Sequence, residues 1–200
     1  MIDTDLQKHG AEFARAIAAN KFERTGDERG IYVPGAKAFI SGTYFHDVNG
    51  KDERVDPNLL PDEGLLYLLS CGLYNGTKLG TWYLGLYAAN YTPLPGLTAA
   101  SFPATASEIT SGAEGYSEAT RPIWLPSAPA TNAIDNLANK AAFTIVTASS
   151  LTVNGAALVS DAAKGAVTGV LASATKFAAA RTLYNTDVFN VAYRVQLTSS

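Results

Sequence analysis

The sequence predicts a mainly β protein: an antiparallel β-sandwich, jelly-roll or immunoglobulin-like, with an N-terminal amphipathic helix and one short buried helix. From Phe189 to Leu197, apolar residues alternate with polar or small ones, and a period of two places the two sets on opposite faces of a strand. Residues 81–87 form a second β-prone block, rich in aromatic side chains. After Gly80, such runs are separated by Gly, Pro, Ser, Thr and Asn, as is typical of antiparallel sandwiches.

Residues 5–24 predict an amphipathic helix, because apolar side chains recur there at helical spacing, with Thr4 or Asp5 as the cap. We treat residues 1–30 as an N-terminal helical arm and residues 31–200 as the β-sandwich domain. Phe13 and Ile17 lie on the apolar side of this helix and are candidate interface residues. Two interpretations stay open: the helix packs on its own domain, or it docks on a neighbouring subunit.

Residues 37–45 are β-branched and aromatic and predict an early strand. The polar block that follows, residues 47–54, contains Asn49-Gly50. Both residues of this pair tolerate positive φ, so we expect a hairpin tip or an exposed loop. The acidic side chains of the block lack the spacing of a calcium-binding loop, and we predict no metal site.

A short second helix is predicted near residues 62–74. Pro61 and Asp62 suit a helix start, and Glu63 suits the positive end of the helix dipole. We expect a helix covered on most sides, within the core or in a subunit contact. Its buried face would be formed by Leu65, Leu66, Leu68, Leu69 and Leu73.

Further strands are expected near residues 81–88, 123–125, 141–148, 151–153, 156–160 and 188–198. Asn154-Gly155 is the clearest hairpin signal in the chain. Residues 92–119 predict a long, loop-rich connection that arches over a neighbour. Residues 170–177 fit either a strand or a helix.

Composition and charge narrow the range of partners. The net charge is −3 and the 15 basic residues form no cluster, so nucleic acid is not an expected partner. The single cysteine, Cys71, excludes an intramolecular disulfide, and its apolar neighbours predict a buried, inert thiol. The first residues show no signal-peptide pattern and no apolar run is long enough to span a bilayer. We therefore expect a protein made and kept in a cytosol.

No sequence motif predicts catalysis or a cofactor. The two histidines, His9 and His46, are too few for a histidine cluster, and a lone histidine is more often structural than a general base. Phosphate-binding glycine loops and the Gly-x-Ser-x-Gly elbow are missing from the sequence. We predict no enzyme, while two carboxylate pairs leave a glycosidase open as a minor alternative: Asp62 with Glu63, and Glu108 with Glu114.

The aromatic residues allow two interpretations. Exposed on a sheet face, they would form a platform for carbohydrate, as in a receptor-binding protein. Alternatively, Trp82 and Trp124 anchor the core while the tyrosines line a subunit interface. We favour the second interpretation, and the candidate interface residues are Tyr87, Tyr91 and Tyr116, together with Arg194 on the polar face of the terminal strand.

Several short segments, taken in order, carry a resemblance to a known group of proteins. They are residues 58–65, 81–87, 108–116, 121–124, 143–145, 151–156, 169–171 and 187–197. This order resembles small virion proteins of tailed bacteriophages, found at the neck, collar, head surface or tail. The resemblance runs from residue 58 to the end of the sequence and supplies no catalytic or ligand-binding residue.

This resemblance implies a non-enzymatic structural subunit of a virion, most simply a neck or collar component. It implies a homo-oligomer that contacts other virion proteins (portal, connector, capsid or tail) and is assembled in the cytoplasm of the host bacterium. The alternative is a receptor-binding or tail-fibre-type module that recognises a glycan on the host surface.

Overall fold

A computed structural model describes residues 23–24, 31–32, 38–129 and 131–199. The chain divides into two compact units, Met1–Phe39 with Thr198–Ser200, and Ile40–Leu197. In the first unit, β1 (Glu23–Arg24) pairs antiparallel with β2 (Ile31–Tyr32). The predicted helix therefore does not reach Arg24, and the rest of it, with Phe13 and Ile17, lies outside the described residues.

The second unit is built from long and short strands, and the structure describes two α-helices in it. The long strands are β3 (Ala38–Val48), β4 (Lys51–Pro57), β5 (Trp82–Tyr87), β9 (Ala141–Val146), β10 (Leu151–Val159), β11 (Leu171–Leu183) and β12 (Val188–Ser199). The short ones are β6 (Gly115–Tyr116), β7 (Ile123–Trp124) and β8 (Ala133–Asp135). The helices are α1 (Asp62–Leu73) and α2 (Phe102–Thr105), with a 3-10 turn at Leu137–Asn139.

These strands form two sheets. One has the order β4-β3-β12-β9-β6, with β8 added on β12, and the other has the order β11-β10-β5-β7. Neighbouring strands pair antiparallel, as in β10 with β5 and β12 with β9. The prediction of a mainly β, antiparallel fold is confirmed.

The main core contains side chains from both sheets. Leu84 and Leu86 of β5 belong to the same buried cluster as Phe143 of β9 and Tyr193 of β12. The Tyr193 ring lies 4.5 Å from that of Tyr44, centroid to centroid. Alternation in β5 and β12 thus places their apolar sets toward one another, which is the arrangement that the two-residue period predicts.

A second buried cluster covers the other face of β5 and β10. Tyr87, Ala157 and Leu171 pack there against Leu97 and Phe102 of the 92–119 segment. The expectation that this segment arches over a neighbour is wrong for its first part, because α2 and the residues before it pack on the chain's own sheet. Pro103 lies in the first turn of α2, where proline is tolerated, and the apolar residues before it pack in an internal core.

The Asn154-Gly155 pair does not make a turn, so the predicted hairpin is wrong. Residues 151–159 form one continuous strand, β10, with a register shift between Val153 and Gly155 in its pairing with β11. A Cβ at Gly155 would lie 2.3 Å from the Tyr87 ring and 2.1 Å from the Thr175 carbonyl oxygen. Glycine is present because neighbouring atoms approach closely at a bulge, a role that the sequence pattern cannot separate from a turn.

The Asn49-Gly50 turn is confirmed, with φ of 54° and 72°. It joins β3 to β4, and β4 was missed because residues 51–57 are almost entirely polar or charged. This segment is a strand despite its low β-propensity, because it pairs with β3 and because its polar side chains bond to β11.

The alternation in β12 holds over its first half. Phe189, Val191 and Tyr193 are fully buried, but so is Ala192, which belongs to the other face. Leu197 is exposed, so the inward face ends before the strand does.

Candidate functional site

Helix α1 is fixed to the second sheet at its first turn. The Glu63 carboxylate accepts backbone N–H bonds from Ala99 at 2.8 Å and from Leu171 at 2.7 Å. Gly64 is buried, and a Cβ there would stand 2.5 Å from the carbonyl oxygen of Ala172 in β11. Helix backbone therefore contacts strand backbone directly, which only glycine allows.

The outer side of α1 exposes leucines, so the helix is not buried within its own chain as predicted, while the other option, a subunit contact, stays a prediction. Leu66, Leu69 and Leu73 are 69%, 57% and 86% exposed, and Tyr74, directly after the helix, is 82% exposed. Spacings of three and four residues place the three leucines on one side of the helix. We call these four residues the α1 apolar face. A high leucine content indicates that a helix will be covered, but it does not say whether the same chain provides the cover.

An apolar cavity of about 270 Å³ lies beside the helix. Tyr67 packs edge-on against Trp82, with ring centroids 5.3 Å apart, and its hydroxyl accepts the N–H of Leu79 at 2.7 Å. The contact between α1 and the sheets is therefore incomplete. The walls include Tyr67, Leu68, Cys71, Trp82, Trp124 and Val195.

The α1 apolar face is unusually free of charge. No Asp, Glu, Lys, Arg or His occurs between Gly64 and Thr77. The four side chains expose on the order of 500 Å² of apolar surface, which is at the upper end for one patch on a monomeric protein. Patches of this kind mark contacts with other molecules. The sequence does contain the signal for this face, namely a leucine-rich helix with no charged residue between Gly64 and Thr77.

Cys71 is only partly buried, which corrects the prediction of a buried thiol. Its Sγ lies 3.6 Å from the Thr77 carbonyl oxygen. The thiol is part of the cavity wall next to α1.

One buried polar network surrounds His46. Its Nδ1 accepts the Nε–H of Arg181 at 3.0 Å, and its Nε2 donates to Asp56 at 2.8 Å. The ring stacks on Phe177, with centroids 3.9 Å apart. Burial lowers the pKa of His46; the bond to Asp56 opposes this effect, and the Arg181 charge adds to it. The imidazole is therefore neutral with both nitrogens occupied, and neither is free to move a proton for a substrate.

Another network is a buried ion pair that sequence reasoning missed. Arg121 donates from Nε and Nη2 to the two oxygens of Glu108, both at 2.7 Å, and from Nη1 to the Asp161 carbonyl at 2.9 Å. Glu108 also accepts the N–H of Gly165 at 3.0 Å. These bonds tie the 108–121 segment to the loop between β10 and β11.

The carboxylates considered for a glycosidase are occupied separately. Glu108 pairs with Arg121, while Glu114 accepts the hydroxyl of Thr147 at 2.7 Å and the N–H of Ala148 at 3.1 Å. Glu63 holds the first turn of α1. The structure brings none of these residues into a pair facing a cleft.

Asp47 belongs to a polar cluster between β3 and β9. Lys140 donates to it at 2.8 Å and Asn190 at 2.7 Å, and Lys140 also pairs with Glu53. Burial acts to raise the pKa of Asp47, but the bonds from Lys140 and Asn190 outweigh it and hold that pKa below its usual range. Within residues 38–129 and 131–199, no group of three or more His, Cys, Asp or Glu side chains is arranged to hold a metal ion.

The predicted interface residues divide into four groups. Tyr87 and Tyr116 are fully buried in the core and offer no surface to a partner, which corrects those two predictions. Tyr91 is half-buried against the second cluster. Arg194 is partly exposed and pairs with Asp135 at 2.8 Å. Phe13 and Ile17 lie outside the described residues.

Tyr87, Tyr116 and Trp124 are buried and so form no part of an exposed aromatic platform. Trp124 is buried and its indole N–H donates to the Tyr193 carbonyl at 3.0 Å. Trp82 is half-buried against Tyr67 and the main core. The assignment of Trp124 to the core is confirmed, whereas Trp82 lies at the edge of the core and in the wall of the cavity.

No protein-family model matches the chain, and no curated protein is significantly similar to it. Among the helices that the structure describes, none has the length and apolar character needed to cross a membrane.

Proposed function

We propose that the protein is a non-enzymatic structural subunit of a tailed bacteriophage particle, a neck or collar component present in several copies. The observation that carries the proposal is the α1 apolar face: an uncharged, leucine-rich surface on the outer side of a helix whose first turn is fixed to the second sheet. A surface of this size and composition is costly to expose to water and gains most from contact with another protein.

The internal polar networks support a role as a rigid frame. His46 and Arg181 connect β3 to β11, and Arg121 with Glu108 connects two loops. Each network spends its donors and acceptors on bonds within the chain, which fixes the strands relative to one another. Such networks hold assembly surfaces in position rather than react with a substrate.

The phage context rests on the sequence resemblance and on the class of surface present. Within that context the partners are further copies of the chain and other virion proteins, of the portal, connector, capsid or tail. We also propose that the two antiparallel sheets form a sandwich of the jelly-roll or immunoglobulin-like type. The receptor-binding alternative has no comparable support, because Trp82 and Tyr87, which would contact a glycan, are half-buried and fully buried.

A phage whose genome encodes this chain provides the test. We expect antibody labelling in electron micrographs at the head–tail junction, and we expect a nonsense mutation in the gene to give separate heads and tails. Complementation with Leu73→Lys should fail, whereas complementation with Val167→Lys should succeed, because Val167 is an exposed apolar residue outside the α1 apolar face. Intact, infectious particles that lack the protein would refute the proposal.

A further inference from the structure

We infer that the apolar cavity beside α1 binds a small apolar ligand that carries one carboxylate, with the size and chemistry of a medium-chain fatty acid. This inference goes beyond the proposed function and does not depend on it. It rests on three properties of the cavity: the chemistry of its walls, its volume and the charge in its wall.

The walls of the cavity are apolar and come from α1 and from both sheets. Leu68 of α1 lines it together with Leu158 and Ala172 of one sheet and Val195 of the other. Protein interiors contain few voids larger than a water molecule, and an apolar void holds water poorly. An apolar ligand would restore the packing contacts that these side chains lack.

The volume of about 270 Å³ sets the size of the ligand. A molecule of liquid water occupies about 30 Å³, and a methylene group is of similar size, so the cavity holds roughly nine carbon atoms. Decanoate has an alkyl chain of about this length and is the matching probe. Decanol is the uncharged probe of the same length.

Lys78 makes the charge of the cavity complementary to a carboxylate. The chain turns back after α1, since Leu79 donates its N–H to the Tyr67 hydroxyl at 2.7 Å. In the same turn, the Cys71 Sγ lies 3.6 Å from the Thr77 carbonyl oxygen. This return places Lys78 in the cavity wall, with its side chain exposed to solvent.

The ammonium of Lys78 is available to a ligand. Among the described residues that line the cavity, Lys78 alone carries a charged side chain. None of the ion pairs between described residues includes it. A bound carboxylate would therefore meet this ammonium at the solvent side of the cavity, while the alkyl chain lies against the apolar walls.

Tryptophan fluorescence of the purified chain measures binding directly, because the chain has two tryptophans and both line the cavity. We expect decanoate, titrated below its micelle-forming concentration, to change the emission with saturation. Decanoate should also slow the reaction of a thiol reagent with Cys71, the only cysteine and part of the cavity wall. Butyrate at the same concentration should do neither, since its chain is too short to fill the cavity. An emission change that does not saturate, or an unchanged Cys71 reactivity, would overturn the inference.

Ala172→Leu tests whether the ligand lies in the cavity, because the added carbon atoms take up part of its volume. We expect the dissociation constant of decanoate to rise at least about 10-fold. Ala180→Leu is the matched control, since Ala180 is exposed in the same strand, β11, and is not part of the cavity wall. Thermal unfolding checks that both variants fold; if Ala172→Leu does not, protection of Cys71 in the wild type still locates the ligand. Equal affinities in folded Ala172→Leu and wild type would contradict binding in the cavity.

Lys78→Met tests the carboxylate, because methionine keeps an apolar side chain and removes the charge. We expect decanoate to bind about 2- to 5-fold more weakly at low salt, and decanol to bind as before. Lys51→Met, in the exposed β4, is the matched control and should change neither affinity. If decanoate binds equally well to Lys78→Met and to wild type, the assignment of a carboxylate ligand is wrong. These measurements do not involve the phage particle, so their failure leaves the proposed function to its own test.

Discussion

Strand β11 makes two contacts of opposite character at its two ends. Near the end of the strand, Arg181 donates to His46 and to both the carboxylate and the carbonyl oxygen of Asp52, and the guanidinium is buried. At the start of the strand, Ala172 meets α1 through a backbone contact beside a cavity of about 270 Å³. One contact is filled and hydrogen-bonded, and the other leaves apolar surface uncovered.

The difference separates folding from association. Contacts that must form within one chain bury their polar groups in complete networks, because an unpaired buried group costs free energy. Among residues 38–129 and 131–199, none forms such a network on the outer surface of α1 or covers its exposed leucines. Variants at the two ends of β11 should therefore affect different measurements. We expect effects on unfolding near Arg181, the end that contacts the β3–β4 hairpin and that we call the hairpin end, and effects on self-association at the α1 end.

The largest effect is expected at the hairpin end. Arg181→Met should lower the free energy of unfolding by about 2–4 kcal/mol, because His46 and the Asp52 carbonyl lose a buried donor. Arg54→Met is the matched control, since Arg54 also pairs with Asp52 but at the exposed surface. It should cost less than about 1 kcal/mol. Urea unfolding measures both, and equal losses would mean that the buried network adds nothing beyond a surface pair.

The second effect concerns the anchor of α1. Gly64→Ala should destabilise the fold by about 1–3 kcal/mol, because its Cβ would meet the Ala172 backbone. Gly72→Ala, in the same helix, should instead gain up to about 1 kcal/mol in the monomer, since alanine favours helix and open space surrounds the position. Urea unfolding at low protein concentration compares the two. The same sign for both variants would show that α1 is not anchored at its first turn.

Much of the fold could be predicted where the alternation of apolar and polar residues along a strand coincides with burial. β12 and β5 are examples, because their apolar residues face the core that both sheets share. The start of α1 was also predictable, since Pro61 and Asp62 mark it locally. Glu63, however, does more than favour the helix dipole: its bonds to Ala99 and Leu171 depend on distant parts of the chain.

The errors have one physical cause, which is that local patterns do not specify their partners. Asn154-Gly155 has turn chemistry, but the close approach of Tyr87 and Thr175 decides its conformation. The leucines of α1 signal burial without saying whether the same chain supplies it. Tyr87 and Tyr116 were expected at an interface because tyrosines are common there, yet sheet pairing places both inside.

The third effect is a pH dependence at the hairpin end. His46 has a lowered pKa in the folded chain, mainly because it is buried. Below about pH 6.5 the unfolded chain binds a proton there that the folded chain resists. Stability should therefore be flat above that pH and fall below it, by up to about 1.4 kcal/mol per pH unit, until the lowered pKa is reached.

Urea unfolding between pH 7.5 and roughly 5.5 measures this slope, before most carboxylates titrate. His46→Gln should remove the slope, while His9→Gln separates the contribution of the other histidine. If the slope persists in His46→Gln, the pH dependence of stability comes from another group. The His46 imidazole would then not contribute to the difference between the two ends of β11.

The smallest effect on folding is expected at the α1 end. Leu73→Ala should change the unfolding free energy of the dilute monomer by less than about 0.5 kcal/mol, because this leucine is almost fully exposed. At higher protein concentration the wild type should gain stability, since association favours the folded state, and Leu73→Ala should gain less. Unfolding curves across a hundredfold range of concentration measure both. A loss above about 1 kcal/mol at low concentration would place Leu73 in the chain's own core, and the two ends of β11 would then no longer differ in kind.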